Sequence, residues 1–221
     1  MKRIRIYKVF VLLLTIVTVA TACTQDLTET KNIASDEGLT VTIDDDEQAT
    51  RAIVIDNPGI RLETTWTAGD QLGIFGAGQS NEPYTINAST ISDDGRTAAF
   101  TSTASIPSGD LLAYYPYNAN ATQSDDQLHL TFPKTQHYTV AGSVPLPDPE
   151  ACVMAGKGSE ATGVNMRNVM AVLKVGQVFA TPTTVKSVEF RDLSGKSVCG
   201  DYTVTMTGGI PQTTFDGTGT T

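Results

Sequence analysis

The chain has little with which to do covalent chemistry. In 221 residues it carries two histidines, His129 and His137, one tryptophan and three cysteines. Neither histidine stands in an H-E-x-x-H or other metal-ligating spacing, no G-x-S-x-G elbow occurs, and no two cysteines form a C-x-x-C pair. The stretch GIFGAGQSNEP (73–83) imitates a nucleotide loop, but QSNEPY cannot open a helix, so a phosphate would meet no helix N-terminus. The acidic runs DDDE (44–47), SDDG (92–95) and SDDQ (124–127) lack the alternating ligands of a calcium loop and read as solvated turns. Both histidines read as surface or hydrogen-bonded strand residues. We therefore expect no enzyme: no catalytic residue, no metal and no cofactor.

Long apolar runs are equally scarce. VFVLLLTIVTVA (9–20) follows a basic start containing Lys2, Arg3, Arg5 and Lys8. It is short against the roughly 20 residues of a membrane span and reads as a secretory signal over 1–22. Small residues Ala20, Thr21 and Ala22 lead to Cys23 as in a bacterial lipobox, although Ala20 stands where leucine is commonest. The expectation is an exported protein whose Cys23 carries acyl chains such as palmitate. Ordinary cleavage after the A-x-A of ATA, leaving a free Cys23 thiol, is the plainer alternative. No second apolar span follows residue 23, so a lipid anchor would be its hold on the membrane.

Positive charge is the next thing missing. Taking the four basic residues of 1–22 from the total of 15, against 24 acidic ones, leaves the remainder at −13. Such a surface repels phosphate backbones and anionic lipid, which excludes nucleic acid as a partner and adsorption through a basic patch. Beyond Cys23 there remain Cys152 and Cys199, which in an exported protein form either a disulfide or two buried thiols.

Helical periodicity is absent too, and what replaces it is strand. CTQDLTETKNIASD (23–36) is a polar tether. Strand-like runs follow: LTVTI (39–43), RAIVI (51–55), QLGIF (71–75), PYTI (83–86), TAAFT (97–101), LLAYYPY (111–117) and LHLTF (128–132). Turn chemistry rich in Gly, Asp, Asn and Ser separates them. VNMRNVMAVLKVGQVF (164–179) is long enough for a helix, but its valines and Gly176 favour a long strand bent near Arg167. After TPTT (181–184) come VKSVEF (185–190) and GDYTVTMT (200–207). Short strands with frequent turns predict an all-β sandwich or barrel. A domain over 51–181 is large enough for a core, whereas 182–221 is at the limit of independent folding and reads as the start of a second, incomplete domain. In LLAYYPY, alternation sends Leu111, Ala113 and Tyr115 to one face and Leu112 and Tyr114 to the other. Trp66 with Tyr114, Tyr115 and Tyr117 could form an aromatic platform for a sugar, against the commoner role of such rings as packing.

Three segments together resemble a known family. WTAGDQLGIFG (66–76) is similar to the W-x-x-G-D-x-hydrophobic-G-hydrophobic-F segment of fimbrillin-like (Mfa-like) proteins, the subunits of type V pili. LLAYYPY resembles their A-Y-Y-P-Y strand, VNMRNVMAVLKV (164–175) a late strand, and ATRA (49–52) a segment ahead of the first domain. The resemblance spans roughly 49–207. It implies transthyretin-like β-sandwich domains on an outer-membrane lipoprotein of a Bacteroidota-type anaerobe. It further implies maturation by cleavage after an arginine, here Arg51, with Ala52 as the new N-terminus. The lost strand would be LTVTI within the tether 23–50, and its groove would receive a strand from another pilus subunit. A complete second domain and a strand to donate, which stalk subunits need, are not visible. The competing expectation is an anchored module that binds a host protein or glycan and does not polymerise.

Overall fold

Period-two alternation and glycine-rich turns produce thirteen strands among the described residues of the computed structural model, which are 38–44, 64–76, 79–137, 139–141, 144–146, 148–170, 180–181, 183–189 and 192–216. In chain order they are β1 (Leu39–Ile43), β2 (Gln71–Gly76), β3 (Gln79–Ile86), β4 (Thr97–Thr101), β5 (Asp110–Tyr115), β6 (Thr122–Ser124), β7 (Gln127–Phe132), β8 (Thr139–Ala141), β9 (Val144–Leu146), β10 (Met154–Ser159), β11 (Gly163–Asn168), β12 (Gly200–Thr207) and β13 (Ile210–Phe215). Two 3-10 turns, Ala88–Thr90 and Pro149–Ala151, are the helical content of the described residues. The all-β expectation holds.

Seven strands close into a barrel in the order β1-β11-β10-β5-β2-β3-β4. A four-stranded sheet, β13-β12-β7-β6, forms a second layer, and β8 and β9 make a small hairpin. The barrel interior is filled by Leu39, Val41, Ile43, Trp66, Leu72, Ile74, Tyr84, Phe100, Leu111, Met154 and Met166, among others. A second apolar cluster joins the outer face of the barrel, through Phe75, Leu112, Tyr114 and Ala155, to the inner face of the sheet, through Leu128, Leu130, Phe132, Tyr202, Val204 and Met206. Strand β5 therefore buries both faces, and its residues divide between the two clusters as alternation predicts. Gly73 makes this sandwiching possible, because a Cβ there would run into the Tyr114 ring.

Two expectations about the C-terminal part are corrected. Residues 183–189 make no strand pairing and are exposed, Val185 and Val188 included, so VKSVEF is not a strand over its described part. Without a ladder partner, β-branched residues alone do not hold a strand. Residues 200–215 do not begin a separate domain. Strand β12 pairs antiparallel with β7, from Gly200 opposite Phe132 to Thr205 opposite Gln127, and buries Tyr202, Val204 and Met206 in the second cluster. So small a segment has too little apolar surface for a core of its own and finds one on the barrel. The 164–179 strand is seen as β11 up to Asn168, and 171–179 lie outside the described residues.

Candidate functional site

The strand that closes the barrel is short and remote in sequence from both of its partners. β1 lies between β4, to which it is antiparallel, and β11, to which it is parallel. Its register sets Leu39 opposite Phe100 and Val41 opposite Ala98 on one side, and Val41 opposite Val164 and Ile43 opposite Met166 on the other. Leu39, Val41 and Ile43 are at most 2% exposed, so all three enter the barrel core. Burying such side chains is worth roughly 1.5–3 kcal/mol each, on the order of 5–9 kcal/mol together. Thr40 and Thr42 alternate outward, and the Thr42 hydroxyl lies 3.1 Å from that of Thr97.

Both ends of the strand are fastened. Arg167 Nη2 meets Asp44 Oδ2 at 2.7 Å, Arg96 Nε donates to Ile43 O at 3.3 Å, and Asp44 N–H donates to Met166 O at 2.8 Å. At the other end Gly38 has φ +104°, and a Cβ there would collide with Phe100 O. On the receiving side Gly163 has φ +70°, and a Cβ would come 2.6 Å from Thr40 O. Glycine is required at both points by conformation and by space. The chain joins β1 to β2 through 45–63, so a cut in that segment would leave β1 held by noncovalent contacts alone.

The aromatic platform is overturned. Trp66 is buried, meeting Phe100 edge-on at 5.0 Å and Tyr115 at 5.5 Å, and Tyr114 is buried in the second cluster. Tyr115 packs against the barrel core and donates to Asp70 Oδ1 at 3.0 Å, while Tyr117 is half-buried. Rings that large contribute more by filling both faces of β5 than by waiting in water. The W-T-A-G-D run thus acts structurally: Gly69 takes φ +95° in a turn that closes on Asp70, whose carboxylate accepts from Thr67 N–H at 2.7 Å. The disulfide is overturned as well. Cys152 and Cys199 are free thiols, each partly buried. Cys152 is fixed by the 149–151 turn through its own N–H to Pro149 O, and burial, with the Asp148 charge, raises its thiol pKa and keeps it protonated.

Sequence reading missed one polar chain. On the outward face of the sheet, Ser124 Oγ lies 2.7 Å from His129 Nε2, His129 Nδ1 lies 3.1 Å from Thr203 Oγ1, and Thr203 Oγ1 lies 3.0 Å from Asp216 Oδ2. An ionised Asp216 only accepts, so Thr203 donates to it and receives from Nδ1–H. Ser124 Oγ completes the chain at Nε2. The chain ties β6, β7 and β12 to the residue that follows β13 across the outward face of the sheet. The outward alternation of QLHLTF and YTVTMT was its only signal in sequence.

Cys23, Arg51 and Ala52 lie outside the described residues. Among the described residues no three metal-ligating side chains gather, and no helix is long and apolar enough to cross a membrane. No protein-family model, curated protein or solved structure matches this chain.

Proposed function

We propose that this chain is a fimbrillin-like, transthyretin-like β-sandwich lipoprotein of the bacterial cell surface, a structural or adhesive pilus subunit assembled by strand exchange. Acylated Cys23 holds the precursor to the outer membrane. Cleavage after Arg51 then separates β1 from the body of the protein, and a strand from another subunit takes its place between β4 and β11.

The observation that carries this reading is the position of β1. It completes the core, yet its covalent link to the rest of the barrel runs only through 45–63, where Arg51 stands. Removing it would expose two unpaired strand edges and an apolar groove, which is the substrate for β-augmentation. The burial of three apolar side chains means that a cut alone releases β1 slowly, so exchange requires a competing strand.

The test is the N-terminus and intact mass of the protein taken from its native surface. A body beginning at Ala52 supports maturation, and a lipid-bearing species beginning at Cys23 means an anchored module that does not polymerise. A start at Leu62, after Arg61, would keep the mechanism but move the cut. In vitro, an arginine-specific protease should nick the folded chain between β1 and β2 while the two pieces still migrate together.

A further inference from the structure

Three alternating apolar residues are too common a pattern to choose a partner strand. Leu128, Leu130 and Phe132 make such a set in β7, and Tyr202, Val204 and Met206 make another in β12. We infer that the β1 slot selects its occupant by the two ends of the strand: a glycine directly before the first apolar residue and a carboxylate directly after the third. The inference rests on the reading of β1 as an exchangeable strand, and it names the chemistry of the partner: an extended segment Gly-Φ-x-Φ-x-Φ-Asp/Glu, with Φ apolar and x polar.

The glycine end is enforced by backbone. Gly38 needs φ +104°, and a Cβ would strike Phe100 O and come 2.7 Å from Thr101 Cγ2 and 2.9 Å from Phe100 C. Phe100 is paired with Leu39 on one side and Ile86 on the other, so its carbonyl has nowhere to withdraw. The carboxylate end is enforced by charge. Arg167, only 19% exposed at its side chain, meets Asp44 at 2.7 Å, and Arg96 reaches the neighbouring carbonyl of Ile43. Phe100 O crowds one end of the slot and Arg167 stands at the other, so the ends are not equivalent and a reversed strand meets the wrong group at both.

The chain contains a near-copy of its own β1 that violates both rules. Leu39-Thr-Val-Thr-Ile43 and Tyr202-Thr-Val-Thr-Met206 share the apolar-Thr-Val-Thr-apolar pattern. Before the first stands Gly38 and after it Asp44, whereas Asp201 and Thr207 flank the second. In the slot, Asp201 would bring a Cβ against Phe100 O, and Thr207 would offer Arg167 no carboxylate. The ends thus tell the slot strand from its internal mimic.

The experiment uses the full chain nicked after Arg51, incubated with fluorescent synthetic peptides and resolved by size exclusion. The peptides are residues 37–45, the same with Gly38→Val or with Asp44→Asn, residues 200–208, and residues 200–208 carrying Asp201→Gly and Thr207→Asp. The 37–45 peptide should exchange in, the Gly38→Val peptide should lose about a hundredfold in retention, and Asp44→Asn about two- to fivefold. The 200–208 peptide should stay out until its two ends are changed. In the Arg167→Gln chain the difference between the 37–45 peptide and its Asp44→Asn variant should vanish. Equal uptake of all five peptides overturns the selection rule while leaving strand exchange intact. If none enters, strand exchange itself falls, and the uncut chain decides the rule. There Gly38→Val should speed hydrogen exchange at the β1 amides at least about tenfold, and unchanged rates overturn it.

Discussion

β1 and β12 are nearly the same strand put to different uses. Each buries three alternating apolar side chains and turns two threonines outward, and each is flanked on both sides by other strands. β12 meets β13 through the tight Gly208-Gly209 turn and pairs with two antiparallel neighbours. β1 has no local partner: its neighbours are β4 and β11, and one of them runs parallel. The same local pattern therefore yields a strand with a hairpin partner in one place and, in the other, the strand that we propose is exchanged. What separates them is connectivity and the chemistry at their ends.

The comparison breaks most severely at the central valines. Val41 and Val204 are both 0% exposed, and Val41→Asp or Val204→Asp should each cost at least about 3 kcal/mol in denaturant unfolding, through an unpaired buried charge. In the chain nicked after Arg51 they should part company: Val41→Asp should shed β1 and leave a folded body, whereas Val204→Asp should unfold the sheet. Native mass and circular dichroism separate those outcomes.

The glycines where the two strands begin, Gly38 just before β1 and Gly200 at the first position of β12, sharpen it next. Gly38 and Gly200 both have positive φ, +104° and +94°, but a Cβ at Gly200 meets nothing within 4 Å. Gly200→Ala should cost only the conformational penalty, about 1–2 kcal/mol, and Gly38→Ala distinctly more, about 3 kcal/mol or above. Comparable losses would remove the steric reason for the slot's glycine.

Tyrosines give a smaller contrast within the second cluster. Tyr114 lies with its hydroxyl 2.8 Å from Asn81 Oδ1 and accepts from Asn118 N–H, whereas the buried Tyr202 hydroxyl has no partner among the described residues. Tyr202→Phe should be neutral or stabilise by up to about 1 kcal/mol, while Tyr114→Phe should destabilise by about 1 kcal/mol. Burial raises both hydroxyl pKa values above the ordinary 10, and it raises those of Tyr84 and Tyr115 too, aided by the charges of Glu82 and Asp70. The unfolded chain thus loses these protons first, so stability should fall as pH rises past about 10. Tyr202→Phe should flatten that fall, read from denaturant midpoints between about pH 8 and 11.5. The smallest effect belongs to the Arg167–Asp44 pair, partly exposed and worth about 0.2–1 kcal/mol by double-mutant cycle.

Much of the fold was legible, and the errors share one cause. Alternation in LLAYYPY assigned each side chain of β5 to the correct one of two faces, because period two is a property of the extended backbone itself. It could not say that both faces are covered, since the covering layer, β7 and β12, comes from farther along the chain. For that reason the ring of Tyr114 looked available for a ligand when it is core, while Trp66 is buried inside the barrel by Phe100 and Tyr115, which also come from farther along the chain. VKSVEF has strand composition without a partner, and GDYTVTMT has a partner that no local signal announces. The Ser124–His129–Thr203–Asp216 chain was invisible for the same reason, being assembled by register across β6, β7, β12 and the end of β13.

By itself the sequence determined the all-β class and the alternation of faces along LTVTI and LLAYYPY, because these follow from sterics within a few residues. Tertiary structure alone decided that one layer closes into a barrel, that β1 is the strand that closes it, and that Gly38, Phe100, Gly163 and Arg167 meet around it. Those contacts depend on pairing between segments roughly 60 and 125 residues apart, where loop-closure entropy is set against the burial of a shared core. No local preference contains that balance.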